Sequence, residues 1–106
     1  MAGASRYCRR VKRIRTTDTL LLVGDAVADS VAEYAVLVAR VKTADRVKLN
    51  AYDEGGDYVQ ATLVLSSAAA ILIESTNSNL PDPDNSEAEQ YIRSRIDRWD
   101  NGTERP

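Results

Sequence analysis

Two alternating runs around a short glycine turn limit what this 106-residue chain can fold into. Apolar and polar side chains alternate through residues 46–52, and the pattern resumes in residues 58–65 after Asp53-Glu54-Gly55-Gly56-Asp57. Alternation with a period of two is typical of a strand with one buried face. The two glycines permit the positive φ that a tight turn needs. The pattern therefore predicts an antiparallel hairpin with one apolar face.

The chain on either side of this hairpin predicts two helices and two further strands. The apolar run at residues 19–23 predicts a strand that is buried on both faces. Asp25 is predicted to cap a helix that extends to about Lys42, because apolar residues recur there at spacings of three and four. This apolar stripe consists of Val27, Val31, Tyr34, Val38 and Val41. Residues 71–73 predict another strand, with a short helix through residues 66–72 as the alternative.

A second helix is predicted near the end of the chain. Ser86 followed by Glu89 matches a capping box, and apolar residues recur at helical spacing from there to about Trp99. The resulting order is β-α-β-β-β-α. A strand, a helix and a strand in sequence favour a right-handed parallel crossover, and the next two strands are expected to continue as an antiparallel meander.

These elements predict an α+β two-layer domain, in which a four-stranded mixed sheet carries both helices on one face. The chain is long enough for one domain and short for two. We expect a flexible basic arm at residues 1–17, a single domain at residues 18–100 and a short tail at residues 101–106.

The charges are unevenly placed. The formal net charge is -2, from 14 bases and 16 acids, yet residues 1–15 contain six bases and no acid. Those bases are candidates for binding nucleic acid or another polyanion: Arg6, Arg9, Arg10, Lys12, Arg13 and Arg15. A solvated tail, an arm folded back on the acidic body, an upstream extension or an organelle-targeting segment remain alternatives.

Several function classes find little support in the composition. The chain has no His and one Cys, so the usual zinc sites, His-based catalysis and disulfide frameworks are excluded. The acids at Asp82, Asp84, Glu87 and Glu89 do not have the spacing of a calcium loop. We therefore predict no catalytic residue, cofactor or metal, with a small carboxylate enzyme as a remote alternative. No apolar run is long enough to cross a membrane and no export signal is recognised, so a cytoplasmic location is expected.

The outer face of the predicted sheet is the main candidate for function. We predict that the chain is a non-catalytic interaction domain that associates with its own copy or with a protein partner through this face or an edge strand. The candidate interface residues are Lys48, Asn50, Tyr52, Tyr58, Gln60, Thr62, Val64 and Leu72.

From residue 26 to residue 99 the element order resembles that of the double-stranded RNA-binding domain. The resemblance lies in element order, and it implies RNA binding through bases at the start of the final helix. Residues 82–89 at that position contain four acids and no base. Because these acids would repel phosphates, RNA binding by that surface is not expected.

Overall fold

The computed structural model describes residues 11–17 and 19–100, which form five strands and two helices. The elements are β1 (Val11–Arg15), β2 (Leu20–Gly24), α1 (Asp25–Arg40), β3 (Ala44–Tyr52), β4 (Tyr58–Ser66), β5 (Leu72–Ser75) and α2 (Ser86–Asp100). The predicted α+β class is confirmed. The prediction of four strands is wrong, because residues assigned to the flexible arm form β1.

All neighbouring strands in the sheet are antiparallel, in the order β4-β3-β2-β1-β5. The predicted mixed sheet with a parallel crossover is therefore wrong. The predicted meander is also wrong, because β5 pairs with β1 at the far edge and not with β4. The segment between β4 and β5 is a turn and irregular chain, so the alternative of a helix at residues 66–72 is wrong as well.

After α1, β3 runs back toward β2 and pairs with it in the antiparallel direction. This helix has 16 residues and is about 24 Å long, so it carries the chain far from the end of β2. The nine residues of β3 span about 30 Å on the way back. Their register meets β2 at a single pair, Leu22 with Tyr52. A helix between two neighbouring strands thus joins an antiparallel pair.

The core lies against α1, which contacts all five strands. The apolar stripe predicted for this helix is buried at four of its five residues, and Tyr34 is fully buried. The fifth residue, Val41, follows the end of α1 and is half-buried. Inward-facing residues of β1, β2, β3 and β4 complete the core, together with two residues of α2. The buried members outside α1 include Ile14, Leu21, Val23, Val47, Leu49, Ala51, Leu63, Leu65, Ala88 and Ile92.

The predicted hairpin is confirmed as β3 and β4, which pair from Ala44 with Ser66 to Tyr52 with Tyr58. In the turn only Gly56 has a positive φ, of 87°. The Asp53 carboxylate oxygen accepts hydrogen bonds from the backbone amides of Gly55 and Asp57, both at 3.0 Å. One glycine and one aspartate therefore hold this turn.

The two helices begin differently from the capping predictions. Gly24, not Asp25, is the N-cap of α1, and no side chain caps it by a hydrogen bond. In α2 the Ser86 hydroxyl donates to Asp84 Oδ1 at 2.9 Å, and the Glu89 amide donates to the Asn85 carbonyl. The predicted capping box does not form, because Ser86 is the first residue of the helix and not its cap.

Asp82 lies directly over the start of α1. A Cβ atom added at Gly24 would lie 1.9 Å from an Asp82 carboxylate oxygen. A larger residue at position 24 would have to displace this carboxylate, whose negative charge lies near the positive dipole end of the helix.

We expect Gly24→Ala to displace the Asp82 carboxylate and to lower the free energy of unfolding by about 1 kcal/mol. Asp82→Ala should have a similar effect, since it removes the same charge. Urea unfolding of the two single variants and the double variant measures the coupling. Fully additive losses would show that Gly24 and Asp82 act independently.

Candidate interaction surface

The face of the sheet that points away from α1 carries one continuous row of side chains across all five strands. The row follows from the pairing register, because residues directly opposite each other share a face. From one edge to the other it runs Glu74, Arg13, Leu22, Tyr52 and Tyr58. The row ends in a Tyr52–Tyr58 edge-to-face pair whose centroids are 5.9 Å apart. We call this side of the sheet the outer face.

The structure brings most of the predicted interface residues together on the outer face of β3 and β4. Lys48 lies opposite Thr62, Asn50 opposite Gln60, and Tyr52 opposite Tyr58. Val64 lies on the same face opposite Arg46, whereas Leu72 belongs to β5 at the other edge of the sheet. Tyr58 and Val64 each retain 59% of their surface exposure, and Leu72 retains 50%. Whether these residues form an interface stays a prediction.

β4 is an edge strand whose far side is unpaired in the described part of the chain. The Asp53 amide donates to the Asp57 carbonyl at 2.9 Å. In an antiparallel ladder hydrogen-bonded pairs alternate with non-bonded ones. Counting from this bond, the odd-numbered residues of β4 pair with β3. The backbone amides and carbonyls of Tyr58, Gln60, Thr62 and Val64 therefore point outward from the free edge.

The two edges of the sheet differ in how they are protected. Exposed edge strands in native proteins are usually short, charged or broken by proline. β5 fits this description, since it has four residues and contains Glu74. β4 has nine residues, YVQATLVLS, with no charge, proline or glycine. The edge of β4 therefore lacks the features that usually protect an exposed edge strand.

The segment of residues 76–85 covers the opposite side of β3, where β2 diverges from it. The Tyr52 hydroxyl donates to the Pro81 carbonyl at 2.9 Å, and the Asn50 side-chain amide donates to the Asp84 carbonyl at 2.8 Å. Asn50 and Tyr52 are therefore engaged within the chain, whereas Tyr58 and Val64 of β4 remain exposed on the outer face.

The Asn85 side chain pairs with the backbone of Asn50, where β2 no longer lies beside β3. Its Oδ1 accepts from the Asn50 backbone amide at 2.7 Å, and its Nδ2 donates to the Asn50 carbonyl at 2.8 Å. The side chain is buried and satisfies both backbone groups that β2 does not reach. Without these bonds a buried donor and acceptor would be left unpaired.

Asn85→Ala is expected to lower the free energy of unfolding by about 2 kcal/mol, because it leaves the backbone amide and carbonyl of Asn50 without hydrogen-bond partners. Asn50→Ala is the matched control, since it keeps the backbone groups and removes only the side-chain bond to Asp84. Its loss should be smaller. Equal losses for the two variants in chemical denaturation would contradict the role of Asn85.

The described bases of the predicted arm are paired with acids. Lys12 contacts Asp29 at 2.8 Å, and this hydrogen bond raises the pKa of the lysine. Arg13 and Arg15 contact Glu74 at 3.1 and 3.5 Å. Residues 11–15 thus follow the alternative in which the basic segment folds onto the acidic body. Residues 6, 9 and 10 lie outside the described residues, so polyanion binding by Arg6, Arg9 and Arg10 stays a prediction.

A polar cluster that the sequence did not predict joins α1, β3 and α2. Asp45 Oδ2 accepts hydrogen bonds from the hydroxyls of Tyr34 and Tyr91, the second at 2.6 Å. Arg95 Nε lies 3.4 Å from the Tyr34 hydroxyl and 4.0 Å from Asp45 Oδ2. The guanidinium also lies 5.5 Å from the centroid of the Trp99 ring, in the range of a cation–π contact.

Near neutral pH both tyrosine hydroxyls of the cluster keep their protons, and Asp45 is ionised. Burial raises the pKa of Tyr34, and the hydrogen bond to Asp45 raises it further. The same two causes raise the pKa of Tyr91. Burial also acts to raise the pKa of Asp45, but the hydrogen bonds donated to the carboxylate outweigh it, and the pKa lies below its ordinary value of 3.8. Neither phenol is poised to exchange a proton, so the cluster is suited to holding three elements together.

Asp45→Asn tests this role through pH. A carboxylate whose folded pKa is lowered contributes stability that is fully present above the unfolded pKa and is lost as the pH falls through the folded pKa. The wild type should therefore lose stability as the pH falls below about 3.8, and the variant should lose less over the same interval. At neutral pH the variant should be less stable by about 1–3 kcal/mol. Identical pH profiles of unfolding would contradict the assignment.

The acids considered as metal ligands have separate roles. Asp82 lies over Gly24, and Asp84 accepts from the amide and hydroxyl of Ser86, which lowers its pKa. Within residues 11–17 and 19–100, no three Cys, Asp or Glu side chains are grouped as a metal site. Neither described helix has the length and apolar character required to cross a bilayer.

The chain was also compared with known proteins. Neither protein-family models, nor curated proteins, nor solved structures match it.

Proposed function

We propose that this chain is a non-catalytic interaction domain that binds its own copy or a protein partner through the outer face and the free edge of β4. The observation that carries this proposal is the edge itself, which is nine residues long and uncharged. Its free amides and carbonyls are strong hydrogen-bonding groups that a partner strand would satisfy.

The exposed apolar side chains support the same surface. Tyr58 and Val64 are among the most exposed large hydrophobic residues of the described chain, and both belong to β4. A partner that covered them would bury apolar area next to the backbone bonds. The combination of directional bonds and apolar contacts is the usual basis of strand addition.

The proposal assigns no catalytic task to the polar cluster. Both tyrosine hydroxyls donate to Asp45, and the raised tyrosine pKa values oppose proton transfer near neutral pH. The cluster is instead expected to keep β3, and through it β4, in place.

Photo-crosslinking tests the proposed surface. We expect p-benzoylphenylalanine at position 58 or position 64 to give covalent adducts with a second copy or another protein in cells that express the chain. Val36 on α1 is the matched control, because its side chain is 58% exposed and that of Val64 is 59% exposed. No adduct at either β4 position, or adducts of equal yield at position 36, would contradict the proposal.

A further inference from the structure

We infer that the partner of β4 is the β4 of a second copy, paired antiparallel about a two-fold axis at Thr62. This inference rests on the proposed function and specifies the occupant of its surface. The pairing would join two five-stranded sheets into one continuous sheet.

The charge pattern selects a second copy and an antiparallel arrangement. The strand has no charge to repel its own copy. The turn that precedes it contains three acids, Asp53, Glu54 and Asp57. A parallel pairing would place the two acidic turns side by side, whereas an antiparallel pairing separates them by the length of the strand, about 30 Å. The acidic turn then lies beside residues 67–70 of the other copy, which are uncharged.

The backbone geometry selects the register. Outward amides and carbonyls belong to the even-numbered residues of β4, as the Asp53–Asp57 bond establishes. An antiparallel pair forms hydrogen bonds only where outward groups meet outward groups, so even residues must face even residues. The central residue of Tyr58–Ser66 is Thr62, which is even-numbered. When the whole strand overlaps its copy about Thr62, every even residue therefore faces an even residue, and the condition is met.

This register also matches side chains. On the outer face Thr62 meets Thr62 of the partner copy, and Gln60 meets Val64. On the inner face Ala61 meets Leu63, and Val59 meets Leu65. Val59 and Ala61 are only half buried within one chain, so the second copy would cover apolar surface that the fold leaves open. A shift by one residue would break every backbone bond.

The other edge strand, β5, is less suited to pairing with a second copy. β5 is short, and the acid that it contributes is already paired with Arg13 and Arg15. Pairing of β5 with its own copy would bring two copies of Glu74 close together. A closed dimer through β4 therefore leaves only protected edges, which prevents growth into an open chain of sheets.

A charge-swap experiment tests the axis at Thr62. The wild type should sediment as a dimer at micromolar concentration. Thr62→Lys and Thr62→Glu should each weaken the dimer about tenfold or more, because two like charges would face each other. An equimolar mixture of the two variants should recover the dimer as a heterodimer. Circular dichroism and thermal unfolding confirm that each variant is folded.

Lysine and glutamate at position 60 are the matched control. Two copies of Gln60 lie four residues apart along the pairing, about 13 Å, so Gln60→Lys and Gln60→Glu should show no comparable preference for a mixed dimer. Recovery equal to that of the Thr62 pair would overturn the register.

Disulfide trapping reads the register directly. In a Cys8→Ser background, Thr62→Cys should oxidise to a covalent dimer, because hydrogen-bonded antiparallel residues lie about 5.5 Å apart at Cα. Gln60→Cys alone should form little dimer, whereas a mixture with Val64→Cys should form a heterodimer. Equal rates for all single variants would overturn the inference.

Two results separate the inference from the proposed function. A dimer that survives both Thr62 variants but is lost with Leu22→Lys or Leu72→Lys would overturn the register and leave the outer face as the interface. A wild type that remains monomeric at high micromolar concentration would overturn the second-copy inference. Crosslinking of positions 58 and 64 to another protein would then still support the proposed function.

Discussion

The single meeting point of β2 and β3 is the constraint on which the rest of the fold depends. Leu22 and Tyr52 form the only registered pair between these strands, because a 16-residue helix separates them in the chain and takes β3 away from β2. The sheet therefore consists of a three-stranded part and a hairpin that are joined at one place. The helix, which contacts all five strands, supplies the apolar contacts that keep these parts together.

Two polar side chains, those of Asn85 and Asp45, hold β3 in place where it forms no backbone pairs with β2. Asn85 satisfies the β3 backbone with an amide that imitates a strand. Asp45 collects hydroxyls from α1 and α2, so that β3 is held from its helical side as well. Both side chains are buried or half-buried in the fold, where an unmade hydrogen bond costs more than a made one contributes. Their effect is to fix the position of the hairpin, because removing either one would leave polar groups of the fold without a partner.

The sequence predicts elements well where the pattern is local. The hairpin of β3 and β4 and the buried stripe of α1 follow from spacings of two and of three to four residues. The sequence does not predict β1, because the three bases of this strand are typical of a solvated arm. In the structure, Asp29 and Glu74 from distant parts of the chain pair with these bases. The direction of β3 fails for a similar reason, since a right-handed parallel crossover is the commoner outcome for this element order and only tertiary packing decides otherwise.

The same distinction applies to the functional residues. Alternation placed Gln60, Thr62 and Val64 on one exposed face, and the register confirms this placement. Asp45 and Tyr91 are 46 residues apart, and no spacing rule connects them. Polar contacts between distant residues become visible only when the fold is known.

The distribution of charge separates the parts of this molecule that are satisfied from the part that is not. The described bases of β1 have acid partners, and the acids of the segment before α2 serve the two helix starts. β4 is different, because it has no charge and, among the described residues, no partner strand along its outer edge. Unpaired backbone groups in water are tolerated, but a long apolar strand that exposes them promotes association. An uncharged edge with unpaired backbone groups is the place where we propose that a second chain binds.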